Sequence, residues 1–137
     1  MLKIISYPKM NNKIISTAAF FGMTSIVLGA FGAHALKQVL TADQLITFET
    51  GVKYQMYHAL FLLFLGLDTH LTTKVKKTIL VLTILGVILF SGSIYLLATD
   101  SLNTFNFKAI GFVTPIGGLF LISAWSILMA QFLKKKI

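Results

Sequence analysis

Six side chains with usable chemistry fall within one short stretch of the chain: Glu49, Lys53, Tyr54, Gln55, Tyr57 and His58. They belong to the run Thr41 to Leu71, TADQLITFETGVKYQMYHALFLLFLGLDTHL, whose Ala59 to Leu67 portion is wholly apolar. Thr47, Gly51, Tyr54, His58 and Phe61 recur at spacings of three and four and so share one helix face, while Glu49 and Lys53 form an i,i+4 pair on an adjoining face. Histidine changes protonation near neutral pH and could pass a proton between Glu49 and a second histidine, His34. A lone charge at membrane depth costs at least a few kcal/mol, so such groups often mark a path for an ion, proton or solute. The competing reading is structural. Glu49 and Lys53 would neutralise each other at the interface, and Tyr54, Tyr57 and His58 would bond to neighbouring helices or form an aromatic belt.

Other chemistries have less support. His34, His58 and Glu49 supply the two nitrogens and one carboxylate of a facial iron site, but their wide separation in sequence does not specify one, so no metal and no cofactor is assigned. The chain has no cysteine, which removes disulfides and thiolate metal ligands. No Ser-His-Asp order, phosphate loop or HExxH stands in the sequence, and an enzyme is not expected.

These residues must be positioned by helices in lipid. Of the 137 residues, 56% are hydrophobic and only 12% charged, which is the composition of an integral membrane protein of one domain. The net charge of +8 comes entirely from lysine. Those lysines cluster at the ends of apolar runs, so the basic balance indicates the charge bias of membrane loops and not a nucleic-acid partner.

Ile14 to Ala33 is twenty residues without a charge, enough to cross a bilayer core of about 30 Å at about 1.5 Å per residue. Ala33-His34-Ala35 also fits a signal-peptide cleavage rule, but the apolar run is longer than the ~7 to 15 residues of a signal core, which favours a retained helix. Gly22, Gly29 and Ala33 line one face of it, open to close approach by another helix. A capping box at Thr41 to Gln44 starts the second helix. A third apolar run covers Thr78 to Ala98, and a fourth opens at Thr114-Pro115, with Thr114 as cap, and ends at Lys134-Lys135-Lys136. The spacing predicts helices over 14–35, 42–71, 78–98 and 114–133.

Such a chain is all-α: an integral membrane four-helix antiparallel bundle, since open sheet edges are excluded from lipid. Nine lysines (3, 9, 13, 74, 76, 77, 134, 135, 136) fall at one end and Lys37, Lys53 and Lys108 at the other, so both termini are expected in the cytoplasm of a multi-pass cell-membrane protein. His34, Tyr95, Thr114 and the pair Gly117-Gly118 are then expected to approach the level of His58 in the outer leaflet.

Three segments carry a family resemblance. GAFGAHAL at 29–36, FETGVKYQMYHAL at 48–60 and TPIGG at 114–118 resemble the signatures of uncharacterised protein family 0382, or domain of unknown function 423, small four-helix membrane proteins related to eukaryotic transmembrane protein 256. Gly51 and Lys53 depart from the alanine and arginine that the resemblance leads one to expect, and lysine lacks the planar fork that clamps a carboxylate or phosphate. The resemblance implies topology and location and no biochemical activity. The residues favour a structural or accessory membrane component acting through helix association, with lipid and a homo-oligomer or larger complex as partners. The alternative is a minimal transporter or channel built on the outer polar cluster.

Overall fold

Four helices follow one another in the computed structural model, which describes residues 8–134. Lys3, Lys135 and Lys136 lie outside the described residues. Helix α1 spans Lys9–His34 and α2 spans Ala42–Leu67, each of 26 residues. At about 39 Å, each outruns a hydrocarbon layer of about 30 Å. Helix α3 spans Thr73–Ala98 and α4 spans Val113–Lys134. Helices α1, α3 and α4 are long and apolar enough to cross a membrane, whereas α2 is made less apolar by its polar stretch.

The helices run antiparallel in sequence. Gly22 faces Ala59, Gly29 faces Val52, Gly32 faces Phe48 and Gly66 faces Ile15, so α1 and α2 lie along each other over most of their length. The glycine face of α1 is therefore occupied by α2, with Gly32 in the stripe and Ala33 exposed outside it. Helix α3 packs on both α2 and α4, and the four form one all-helical bundle. Ile14, Leu62, Leu65 and Ile79 are fully buried at its centre, while Phe20, Ile26, Leu119 and Ile122 point outward. An apolar exterior around a partly polar interior is what a lipid solvent selects.

Several helix ends differ from the sequence expectation, and each has a local cause. Helix α1 begins at Lys9, before the charge-free run, because Asn11 is buried on the same face as Ile14, Ala18 and Phe21. Helix α2 stops at Leu67, not Leu71, since Asp68 turns extended and its Oδ1 accepts the N–H groups of His70 and Leu71 at 2.8 and 2.7 Å. Thr72 then caps α3 by accepting from Val75 N at 3.3 Å, so that helix starts five residues before Thr78. Helix α4 begins at Val113, and the Thr114 hydroxyl reaches Ser93 on α3.

Helix α3 is not regular. It is α-helical over Thr73–Val87, forms a π turn over Ile88–Gly92 and resumes over Ser93–Ala98. A π turn holds one extra residue and displaces the backbone locally. Gly117 of α4 sits directly against it, with the Phe90 backbone in the place a β-carbon would take.

Candidate functional site

The buried polar groups gather at the junction of these irregular features. Gln55 is 6% exposed and occupies the centre. Its Nε2 donates to the Phe21 carbonyl at 3.1 Å and to the Thr24 hydroxyl at 2.7 Å, both on α1. Its Oε1 accepts from the Tyr95 hydroxyl of α3 at 2.8 Å. One amide thus uses both of its donors and one acceptor across three helices, which fixes the orientation of its side chain. Close by, the Ser91 hydroxyl donates to the Gly51 carbonyl at 2.8 Å, and the Ser93 and Thr114 hydroxyls lie 2.6 Å apart, joining α3 to α2 and to α4. Ser91 and Ser93 flank Gly92 at the end of the π turn, so the irregular backbone aims both hydroxyls inward.

Lower on α2, His58 links to α4. Its Nδ1 lies 2.7 Å from the Tyr54 carbonyl and its Nε2 accepts from the Trp125 indole N–H at 3.2 Å. The indole also packs against Phe61, with ring centres 4.3 Å apart and the planes tilted by 39°. Tyr54 and Tyr57 are exposed beside this contact and meet edge to face at 5.7 Å.

The remaining sequence candidates do not join this centre. Glu49 and Lys53 lie exposed on the outer side of α2. His34 is exposed at the end of α1, past the contact of Gly32 with Phe48, and from Phe48 to His58 is about 15 Å of helix. His34, Glu49 and His58 therefore form no metal site, and no group of three or more His, Cys, Asp or Glu among the described residues is placed to hold an ion. Gly118 lies in ordinary contact with the Phe90 ring, beside the tighter approach at Gly117.

Three residues at this site were missed by sequence reasoning. Thr24 and Ser25 looked like ordinary residues of an apolar helix, yet Thr24 receives Gln55. Ser25 is buried, and its hydroxyl is the one buried side-chain polar atom without a partner among the described residues. The carbonyl one turn back, which a helical serine commonly uses, is that of Phe21, and it accepts Gln55 instead. Trp125 was placed in α4 but not tied to His58. The signal for the α1 residues was the spacing Asn11, Ile14, Ala18, Phe21, Ser25, which puts polar groups on the core stripe.

A family profile described as "Protein of unknown function (DUF423)" matches residues 28–118. The chain belongs to the DUF423 family. It is 36% identical over 129 residues to a UPF0382 membrane protein of Haemophilus influenzae, covering 93% of this chain and all of that one. It is 38% identical over 120 residues to a UPF0382 membrane protein of Staphylococcus haemolyticus, covering 88% of this chain and 94% of the relative. The UPF0382 inner membrane protein YgdD of Escherichia coli K12 is 34% identical over 122 residues, covering 87% of this chain and 88% of that protein. No solved structure matches the chain. This DUF423 member is a multi-pass membrane protein, in keeping with its helices and with the names of these relatives. The profile match spans Gln55, His58, the π turn, Thr114 and Gly117, whereas Thr24 and the half-exposed Trp125, which bond to Gln55 and His58, lie outside it.

Proposed function

We propose that this DUF423 protein is a structural or accessory component of the cell membrane that acts through helix association and carries no catalytic site. The observation behind this reading is that the buried polar side chains bond to one another and to backbone across helices. Gln55, Tyr95, Ser91, Ser93 with Thr114, and His58 with Trp125 each join two or three helices. Groups used in this way fix the register of a small bundle, at a contribution on the order of 1 kcal/mol each. The whole chain acts as one transmembrane domain, with its lysine-rich end in the cytoplasm as the positive-inside bias favours.

Association with a partner would use the outward side chains, since the glycines of α1 are already packed on α2. Cross-linking in native membranes should trap a defined homo-oligomer or a larger complex, and a chain that stays monomeric under efficient cross-linking would refute the association.

A conducting role is the second reading, and the π turn at Ile88–Gly92 favours it, because such turns recur at functional sites. Four helices are few for an internally repeated carrier, so conduction would need an oligomer. Sealed proteoliposomes with no flux of protons, monovalent ions or small solutes would remove this reading.

A further inference from the structure

At the lysine-rich end of the bundle, α1 and α3 leave a hollow of about 540 Å³ between them, within the size range of small-molecule sites. Its two walls differ. Lys9, Asn12, Lys13 and Ser16 line it from one face of α1, and Leu80 and Ile84 line it from α3. Thr17, next along that face, gives its hydroxyl to the Lys13 carbonyl at 2.9 Å. The α1 wall therefore presents two ammonium groups, an amide and a hydroxyl, while the α3 wall presents carbon.

Depth and charge indicate what fills it. The charge-free run of α1 begins at Ile14, so Lys13 and Lys9 stand about 1.5 and 7.5 Å outside the hydrocarbon and span a headgroup layer about 5 to 7 Å thick. Lys76 of α3 meets Asn11 of α1 at 3.0 Å, which sets the relative height of the two helices. Leu80 and Ile84 lie about 6 and 12 Å further along α3, within the hydrocarbon. Cations thus stand over carbon, in the order of a phospholipid's phosphate and acyl chains. No carboxylate lines the hollow. Of the chain's four acidic residues only Asp68 belongs to this end, and it is engaged by the backbone of His70 and Leu71.

We propose that the hollow between α1 and α3 binds one anionic phospholipid, with its phosphate between Lys9 and Lys13 and an acyl chain along Leu80 and Ile84. A lipid without net charge would leave the two cations unanswered. A phosphate without a tail would leave the α3 wall bare.

Native mass spectrometry of the full chain released from detergent counts the lipid directly, with dioleoyl phosphatidylglycerol or dioleoyl phosphatidylcholine as the probe. One phosphatidylglycerol is expected to be retained at about 25-fold lower concentration than phosphatidylcholine, about fivefold for each lysine. Lys9→Gln and Lys13→Gln should each weaken its retention about fivefold. Lys134→Gln, at the same end but outside the hollow, should leave it unchanged. Ile84→Trp fills the hollow while keeping both lysines and should expel the lipid, with unchanged helix content confirming that the variant is folded. If Ile84→Trp does not fold, the exposed lysine variants decide. Equal retention of the two lipids would overturn the site, as would equal losses for Lys134→Gln and Lys9→Gln. Retention by folded Ile84→Trp would reduce it to diffuse surface charge, and displacement of the lipid by excess inorganic phosphate would make it a site for a free anion; either result refutes the proposal.

Discussion

Trp125 donates its indole N–H to Nε2 of His58 at 3.2 Å, and this bond joins α4 to α2 near the middle of both helices. An indole can only donate and a carbonyl can only accept. With Trp125 on Nε2 and the Tyr54 carbonyl on Nδ1, the imidazole must be neutral with its proton on Nδ1. Nitrogen NMR of the labelled protein at neutral pH should find a protonated Nδ1 and a bare Nε2 at His58. A proton on Nε2 would contradict the Trp125 bond.

The same bond makes a stability prediction. Trp125→Phe retains an aromatic ring against Phe61 but leaves Nε2 without a donor, at an expected cost of about 1 kcal/mol. His58→Ala also leaves a cavity beside Phe61 and should cost more. Glu49→Gln, on the exposed side of α2, should change stability by less than about 0.5 kcal/mol. Thermal unfolding in mild detergent measures all three, and a stabilised His58→Ala would mean the histidine is held at a cost to the fold, as functional groups often are.

Gln55 and Tyr95 should behave as a coupled pair. Tyr95→Phe removes one donor to Oε1, while Gln55→Leu removes contacts to both α1 and α3. A double-mutant cycle should give a coupling of roughly 0.6 to 1.7 kcal/mol, the range seen for hydrogen bonds between membrane helices. Additive effects would show that the Tyr95 bond contributes nothing to holding α3 on α2.

Two glycines at the π turn should respond in opposite ways to alanine. A β-carbon at Gly117 would run into the backbone at Leu89 and Phe90, which has no rotamer to yield. Gly117→Ala should therefore destabilise by several kcal/mol or force α4 off α3. Gly92 has nothing within 4 Å of the same position, so Gly92→Ala should be neutral or stabilising by up to about 1 kcal/mol. If both variants unfold alike, the close approach of α4 to the π turn is wrong.

How far these contacts could be read from sequence depended on whether they repeat. The helices were legible because charge-free runs of bilayer length have few other uses in a chain of this composition. The capping box at Thr41 and Gln44 was legible for the same reason, being a local pattern with a local partner. Long-range pairing left no such trace. Nothing about Gln55 distinguished it from Tyr54 or Tyr57 as a buried member of its cluster, since burial was decided by where α1 and α3 pack. The π turn was also hidden, because Ser91-Gly92-Ser93 reads equally well as small residues at a helix crossing.

Lys76 is the clearest residue that sequence misassigned, and it carries the last prediction. The sequence groups it with Lys74 and Lys77 among the lysines at the ends of apolar runs, yet it is 3% exposed. Its ammonium donates to Asn11 Oδ1 at 3.0 Å and to the backbone carbonyl of Asp68, the residue that ends α2. A cation at the carbonyl end of a helix is favourably placed for the helix dipole, and here it also ties the start of α1 to the α2–α3 link. Its place on the stripe Lys76, Leu80, Thr83, Val87 was the available signal. Lys76→Met keeps much of the volume but leaves Asn11 Oδ1 buried without a donor, and should cost about 1 to 3 kcal/mol. Lys77→Met, one position along and exposed, should stay within about 0.5 kcal/mol of wild type. Asn11→Leu in the Lys76→Met background removes the stranded acceptor and should recover part of the loss. Unfolding of the single and double variants in the same detergent tests this, and equal losses for Lys76→Met and Lys77→Met would sink it.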